Sequence, residues 1–167
     1  MECGQELVMK ECEHEGMVPY CPTCKEYRFP IFHTAVSMVV LNPSEDKILM
    51  IQQYGRKSNI LVAGYVNKME CAEEALRREM KEEIGRDILR MRYMKSEYFE
   101  KSNTLIWNFA VVIDSEDLND VCEWEVDDAN WFTFEEALVC VKQDSLAQRF
   151  LQYFMKSYTQ HKGAFFD

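Results

Sequence analysis

The sequence predicts an α+β fold, a helix–sheet–helix sandwich around a mixed sheet, preceded by a small cysteine-rich segment. Two apolar, β-branched runs of strand length, at residues 35–41 and 60–63, support the sheet. Two amphipathic stretches, which open near residues 71 and 145, support helices on its faces. Because strands and helices follow one another in mixed order, packing the helices onto the sheet buries the apolar side of both.

The first 30 residues form a separate segment in this prediction, and residues 31–160 form the main domain. The segment carries four of the seven cysteines and three of the four prolines, so turns dominate it. Residues 161–167 are predicted to be a frayed tail, or else to tuck their two aromatic side chains into a neighbour.

The main domain opens with a predicted hairpin. Ala35 to Leu41 form a near-continuous apolar strand, residues 42–46 form a turn, and Lys47 to Tyr54 form a second strand. A short buried strand then ends at Gly64, and a helix is expected from about Cys71 onward.

This first helix is expected to pack one side on the sheet and to end at Gly85 as a left-handed C-cap. Its apolar side chains recur at every fourth position: Ala72, Leu76, Met80 and Ile84. Such a stripe predicts a helix held by tertiary packing at the edge of the core.

Two more strands are predicted after this helix, at residues 90–98 and 104–113. Residues 125–132 lead into a capping box at residues 133–136, which opens a second helix. Ser145 opens the last helix. The order of elements therefore completes the predicted sandwich.

Three glutamates on the first helix indicate a divalent cation. Glu79, Glu82 and Glu83 lie within an arc of about 100° on an ideal helix. Each i,i+4 pair of like charges costs a few tenths of a kcal/mol, and Mg²⁺ or Mn²⁺, which prefer oxygen ligands, would offset that repulsion. The alternative is an ordinary acidic surface helix whose charges are solvated.

The spacing around this helix resembles the Nudix box, whose pattern is G-x5-E-x7-R-E-U-x-E-E-x-G-U, with U an aliphatic residue. The chain supplies Gly64, Glu70 and the run from Arg78 to Gly85 in register. Its last aliphatic position is instead Arg86, and Ile88 is expected to take over the apolar role.

The resemblance implies that Glu79, Glu82 and Glu83 bind the divalent cations, Mg²⁺ or Mn²⁺, and that Glu70 and Arg78 form a supporting salt bridge. It implies hydrolysis of a nucleoside diphosphate linked to a further group. In that chemistry a metal lowers the pKa of a bound water and clamps the phosphate oxygens. Glu83 is expected to be the most sensitive catalytic position, followed by Glu82.

A longer resemblance links the chain to the zinc-ribbon Nudix proteins grouped with the NADH diphosphatases. It is carried by residues 27–30, which read YRFP, by Leu61 to Val66, and by residues 129–132, which read ANWF. By that match Glu125 becomes a further metal-ligand candidate. Tyr65 becomes a candidate to stack on a substrate ring, although an aromatic residue at a strand end is more often part of the core.

The segment after the box departs from those relatives. NADH diphosphatases carry S-Q-P-W-P-F-P-x-S, whereas Ser96 to Thr104 of this chain lacks the prolines. We expect the segment to lie beside the site, with Tyr98, Phe99 and Lys101 free to contact a base or a phosphate. The substrate stays open among NADH or NAD, ADP-ribose, related dinucleotides and nucleoside triphosphates.

Cysteines in the N-terminal segment indicate a structural Zn²⁺. Cys21 and Cys24 form a C-x2-C knuckle, Cys3 is the third predicted ligand, and Cys12 or His14 is the fourth. The alternative is a ribbon remnant that no longer holds zinc. The remaining cysteines are expected to be packing residues: Cys71, Cys122 and Cys140.

The composition limits which binding partners and which cellular location are expected. The chain has 167 residues, a mass of 19.8 kDa and a formal net charge of −10, which argues against broad binding to nucleic acid. A small-molecule nucleotide is therefore the predicted substrate. No stretch approaches the roughly 18 apolar residues of a membrane span, and the N-terminus lacks the features of a signal peptide, so a cytoplasmic location is expected.

Two other hypotheses concern the function of the chain, and one prediction concerns its oligomeric state. The chain could be a non-catalytic nucleotide sensor that uses its ribbon to contact a partner, but the complete set of acids counts against that. Action on the 5′ end of RNA is a third hypothesis, which the acidic balance disfavours. Because the related proteins are often dimers, and exposed aromatics of the ribbon and tail would suit an interface, a homodimer is expected.

Overall fold

The computed structural model describes residues 3–161 and 163–166. The chain divides into two compact units, Met1–Phe32 and His33–Asp167, where the sequence predicted a division after residue 30. Among the described helices, none is long and apolar enough to cross a membrane.

The N-terminal unit is a small antiparallel sheet with strand order β1-β2-β3. It contains β1 (Val8–Cys12), a 3₁₀ turn (Glu13–Glu15), β2 (Gly16–Cys21) and β3 (Glu26–Tyr27). Val18 and Cys21 are its buried apolar residues among those described. A unit this small buries too little apolar surface for a core of its own, so covalent or metal cross-links are the usual remedy.

The larger unit contains a six-stranded sheet and three α-helices. Its strands are β4 (His33–Leu41), β5 (Lys47–Gln52), β6 (Val62–Tyr65), β7 (Ile88–Phe99), β8 (Thr104–Ile113) and β9 (Asp128–Thr133). Its helices are α1 (Ala72–Glu79), α2 (Phe134–Cys140) and α3 (Leu146–Gln160), and a π-helical turn (Met80–Ile84) continues α1.

The sheet is mixed, with strand order β7-β8-β4-β5-β9. β4 and β8 are parallel, and the other pairs are antiparallel. On its other edge β4 pairs first with β6, over Ala35–Met38, and then with β5, at Val40 and Leu41. This arrangement confirms the predicted mixed-sheet sandwich and opens the sheet where β5 and β6 diverge.

Alternation along β4 divides the core between the two faces of the sheet. Val36 and Met38 pack under α1 and the π-helical turn, together with Met80. Val39 and Leu41 face the opposite way, toward α3. The acidic helix is therefore fixed on one face by buried apolar side chains.

The predicted single helix changes its winding where the acids lie. α1 ends at Glu79, residues 80–84 form a π-helical turn, and Gly85 follows with φ 76° as the expected left-handed cap. π-helical turns are rare and frequently occur at functional sites. At the start of α1, the Glu74 carboxylate accepts a hydrogen bond from the Cys71 backbone N–H (2.9 Å).

The sequence left two alternatives for the end of the chain, which either frays or packs its aromatic side chains. Phe165 is buried and its ring contacts the rings of Phe154 and Tyr158 on α3. Its carbonyl accepts a hydrogen bond from the Arg92 guanidinium. Phe165 is therefore part of the core of its own unit, and the prediction that this segment frays is wrong for this residue.

Candidate active site and thiol cluster

Gly64 and Glu79 are packed together so closely that position 64 has no room for a side chain. A Cβ atom built there would lie 1.9 Å from Cδ of Glu79 and 2.0 Å from its Oε1. Real Cβ atoms do not approach other atoms this closely. The glycine of the motif thus allows the carboxylate of Glu79 to lie directly on the end of β6.

Arg78 connects four groups around the helix. It forms a two-pronged ion pair with Glu70 (Nε to Oε1 2.8 Å, Nη2 to Oε2 2.9 Å) and donates to the Tyr65 carbonyl (2.8 Å). Its Nη1 contacts Glu79 at 2.7 Å and Glu82 at 3.0 Å. The Arg78 guanidinium holds the pKa of Glu70 down at about 2, so the Glu70 carboxylate stays charged.

Glu83 is the most deeply buried acid of the cluster. It is 2% exposed, and its Oε2 has no hydrogen-bond partner among the described residues. Burial raises the pKa of Glu83 to about 8, the charge of Glu79 adds to the rise, and a side-chain hydrogen bond from Gln53 opposes it. Burial likewise raises the pKa of Glu79, although Arg78 favours its charged form.

A turn before β9 brings Glu125 to the same place. The Cys122 N–H donates to the Glu83 carbonyl (2.9 Å), and Glu125 N–H donates to the Cys122 carbonyl (3.1 Å). The charge of Glu125 contributes to the raised pKa of both Glu79 and Glu83. On the same turn Trp124 is 85% exposed.

These acids lie at one side of a cleft of about 440 Å³. Its acidic and aromatic lining residues are Glu79, Glu83, Glu125, Tyr54, Tyr65 and Phe99. Concave sites of this size, with a few polar groups at defined positions, are typical of small-molecule binding. The cleft therefore brings together most of the site residues that the sequence predicted.

Some predicted residues are placed elsewhere. The Glu82 side chain is half exposed and bound to Arg78, and it does not line the cleft. Tyr98 and Lys101 are also outside the lining, and the Tyr98 hydroxyl donates to Asn103 Oδ1 at 2.7 Å. Of the two neighbouring aromatics on β7, only Phe99 reaches the cleft, because successive strand residues face opposite sides.

Tyr65 is 57% exposed at the end of β6 and lines the cleft. Its ring meets that of His33 edge to face, with centroids 5.9 Å apart. The alternative interpretation of Tyr65 as a core residue is therefore wrong. Tyr54, which the sequence analysis did not single out, lines the same cleft from the turn after β5, where no periodic pattern marks it.

The donors of the cleft suit a hard divalent cation. Carboxylate oxygens are the ligands that Mg²⁺ and Mn²⁺ prefer, and the unpartnered Oε2 of Glu83 is a buried acceptor that a cation would satisfy. In the described residues, however, the acids do not form a group with all ligand atoms within 4.8 Å of one another. Arg78 instead holds Glu79 and Glu82.

Arg86, the one misfit of the motif, has a structural role. Its guanidinium contacts Asp120 at 2.8 Å and Asp117 at 3.3 Å. These ion pairs connect the residue after the π-helical turn to the loop that precedes the Glu125 turn. Ile88 is buried in the core beneath α1, as the sequence analysis expected.

Three thiols meet in the N-terminal unit. Sγ of Cys3 lies 3.5 Å from that of Cys21 and 3.4 Å from that of Cys24. The Cys24 N–H donates to Cys21 Sγ (3.3 Å), and this backbone hydrogen bond lowers the pKa of Cys21 to about 7. Hydrogen bonds among the thiols raise the pKa of Cys24 to about 11.

The predicted fourth ligand does not join this cluster. Cys12 pairs with Gly16 at the closed end of the β1–β2 hairpin, whereas Cys21 follows Tyr20, which pairs with Val8. Gly16 and Cys21 are five residues apart along β2, about 17 Å at the usual rise per residue. Among the described residues the cluster is therefore three thiols, and His14 belongs with Cys12 at the far turn.

Comparisons with known proteins agree with this geometry. A family model described as the NUDIX domain matches residues 31–154. Proteins described as NAD-capped RNA hydrolase NudC, from Escherichia coli, Shigella boydii and Escherichia fergusonii, are 26% identical over 152 residues. The match covers 90% of this chain and 57% of each relative, so the chain spans just over half the length of these curated relatives.

Solved structures show the same fold. A NUDIX hydrolase from Nitrosomonas europaea superposes with a TM-score of 0.67 and 16% identity, over 95% of this chain and 90% of that one. A MutT structure, from a study of Aliivibrio salmonicida and Vibrio cholerae, superposes with a TM-score of 0.59 and 17% identity, over 74% and 96% of the two chains.

Proposed function

Because the chain belongs to the NUDIX family, we propose that it hydrolyses the pyrophosphate bond of a nucleoside diphosphate linked to another group, with Mg²⁺ or Mn²⁺. The observation that carries this proposal is the buried Glu83 carboxylate, whose Oε2 has no partner, beside Glu79 and Glu125 at the side of an open cleft. A buried unpaired acceptor is costly, so its retention points to a ligand.

We assign four glutamates as the ligands of the divalent cations, which would activate water and neutralise the diphosphate. Glu79, Glu83 and Glu125 line the cleft, and Glu82 lies beside Glu79 on the same Arg78 nitrogen. Glu83 accepts the proton of the attacking water at Oε2, and Glu82 is the second candidate for this role. With a pKa of about 8, the Glu83 carboxyl is mostly protonated at neutral pH. A bound cation would stabilise its charged form and so free Oε2 to accept a proton.

Arg78 positions these acids. Its contacts to Glu70 and to the Tyr65 carbonyl fix the guanidinium, which then orients Glu79 and Glu82 at the rim of the cleft. The charge of Arg78 offsets part of the repulsion among the acids.

Aromatic walls bind the nucleoside in this proposal. Tyr65 and Phe99 line the cleft and supply faces on which a base stacks, each worth about 1–3 kcal/mol in single-stranded nucleic-acid sites. NADH, NAD, ADP-ribose and related dinucleotides all present such a base. Tyr98 and Lys101 do not belong to this proposal, because they do not line the cleft.

A second candidate substrate is the NAD-capped 5′ end of RNA. The names of the curated relatives favour it, at 26% identity and with 57% of their length matched. The net charge of −10 favours the small dinucleotide instead, because phosphate-backbone binding needs clustered cations. The scissile bond is the same pyrophosphate in both.

We further propose that Cys3, Cys21 and Cys24 hold a structural Zn²⁺ and that the protein is a homodimer. The three Sγ atoms lie within 4.8 Å of one another, and thiolate sulfurs are the preferred ligands of structural zinc. A fourth ligand then comes from outside the described thiols, and neither Cys12 nor His14 supplies it.

The test is a substrate panel with Mg²⁺ and with Mn²⁺, run on the wild type and on Glu83→Gln. We expect metal-dependent cleavage, and about a 10³-fold lower kcat in the variant, the scale of a lost proton acceptor. Glu73→Gln, which neutralises an exposed acid on α1, is the matched control and should keep full activity.

Folded protein that cleaves no panel member with either ion would contradict the proposal and would favour the nucleotide sensor. Equal activity of Glu83→Gln and wild type would contradict the role of Glu83 while leaving the family reaction in place.

A further inference from the structure

A second, smaller cavity of about 150 Å³ adjoins the catalytic cleft. It is lined by Gln53, Tyr54, Arg56, Ser58, Ile60 and Lys142. Tyr54 lines both cavities, so a single residue separates the smaller cavity from the cleft that holds the acids.

The backbone around this cavity is held in place. The Gly55 N–H donates to Asp127 Oδ2 (2.6 Å), and the Asp127 N–H donates to the Gln52 carbonyl (2.8 Å). On the opposite side, the Lys142 N–H donates to the Asn59 carbonyl (2.8 Å). The turn after β5 is thus fixed to the Glu125 turn and to the end of α2.

Tyr54 has an unusual conformation at the boundary of the two cavities. Its φ is 57°, in the left-handed region that bulky side chains avoid, yet its side chain is 74% exposed. The Arg56 N–H donates to the Gln53 carbonyl (3.2 Å), which stabilises this turn and places the exposed Tyr54 ring between the two cavities.

The charge of the cavity contrasts with that of the molecule. The net charge is −10, whereas the lining of this cavity carries two cations and no carboxylate. Arg56 and Lys142 form no salt bridge with any residue that the structure describes. Two cations without partners, with Ser58 and Gln53 as neutral donors, suit an anion.

The volume identifies the kind of anion. At the liquid volume of a water molecule, 150 Å³ corresponds to about five waters, which is room for the five heavy atoms of a phosphate group. Arg guanidinium and Lys ammonium groups are the usual ligands of phosphate oxygens.

We propose that this cavity binds a further phosphate of the substrate, a phosphate ester outside the diphosphate that is cleaved. The inference rests on the proposed function and defines the substrate class more closely, as a nucleotide derivative with an additional ester phosphate. Arg56 and Lys142 bind its oxygens, and Tyr54 packs against the sugar or base that carries it.

Two sources share this chemistry, a phosphomonoester on a ribose and the first phosphodiester of an RNA strand. Matched substrate pairs distinguish them. NADPH differs from NADH by one ribose phosphate, and a dinucleotide RNA with a 5′ NAD differs from NAD by the strand.

The experiment compares kcat/KM ratios within each pair for the wild type, for the double variant Arg56→Gln/Lys142→Gln, and for Lys156→Gln, an exposed cation on α3. We expect the wild type to favour one phosphate-bearing member. The double variant should lose about tenfold of that preference, chiefly through KM, and Lys156→Gln should keep it. The pair that shows the preference identifies the source.

Wild type without preference in either pair, or a preference that the double variant keeps, overturns the inference while leaving the proposed hydrolysis intact. If no substrate is cleaved, calorimetric titration of NADPH and NADH into Glu83→Gln with Mg²⁺ decides separately. The same titration is repeated with the triple variant Arg56→Gln/Lys142→Gln/Glu83→Gln. If NADPH binds more tightly than NADH and the triple variant loses that difference, the phosphate site is supported; equal binding of the two refutes it.

Discussion

The carboxylates of the larger unit and the thiols of the N-terminal unit both offer metal ligands, but only the carboxylates are built onto a packed core. Glu83 lies on a turn whose neighbours Met80 and Ile84 are fully buried. The thiols belong to a sheet with little buried apolar surface. The packed core therefore fixes the acids without an ion, whereas the proposed zinc would be the main cross-link of the thiol unit.

The two groups also manage their charge differently. Arg78 partly neutralises the acids through three separate ion pairs. The thiols have only one another and the Cys24 backbone N–H, so their protonation is divided, with one pKa lowered and one raised.

The largest predicted effect is that of a substitution in the cleft. In Gly64→Ala, the new Cβ displaces the Glu79 carboxylate, so we expect about a 10²-fold loss of kcat/KM and about 2 kcal/mol of destabilisation. Steady-state kinetics and urea denaturation measure the two effects. Adding Glu79→Ala should restore stability but not activity. Normal activity of Gly64→Ala would show that Glu79 is free to move.

In the N-terminal unit, the amount of bound zinc in cysteine variants tests the comparison. Cys21→Ser should lower bound zinc from about one equivalent to near zero, because the two remaining thiolates no longer support a closed four-coordinate site, whereas Cys12→Ser should leave it unchanged. Elemental analysis of the purified proteins measures this. Equal loss in both variants would restore Cys12 as a ligand.

The smallest effect is the pH dependence of stability without metal. The pKa of Glu83 is raised from 4.5 to about 8, so the folded state binds this proton more tightly than the unfolded state. Stability should fall as pH rises from 5 to 8, by on the order of 2 kcal/mol, and level off above. Glu83→Gln should flatten this slope in denaturation curves, as should saturating Mg²⁺. An unchanged slope in the variant would assign the titration to other groups.

Much of the site could be predicted from the sequence because the motif fixes both residue type and spacing. The pairing of Glu70 with Arg78 and the cap at Gly85 depend on short sequence separations, from the loop before α1 to the residue after the π-helical turn. The π-helical turn could not be predicted, since its hydrogen-bond offset leaves no mark in the apolar pattern.

Long-range placement explains the errors. Only a short stretch of sequence separates Cys12 from Cys21, but the strand register places them at opposite ends of the β1–β2 hairpin. Tyr98 and Phe99 are adjacent, yet strand alternation permits only one to face the cleft. Tyr54 lies on an exposed turn whose position is set by a contact with Asp127, far along the chain.

The exposed indole beside Glu125 has a practical consequence. Trp124 projects from the turn whose Cys122 N–H is tied to the Glu83 carbonyl. An ion or nucleotide that shifts these acids should therefore change the emission of this indole. Because Trp107 and Trp131 also emit, comparison with Trp124→Phe isolates the signal of Trp124.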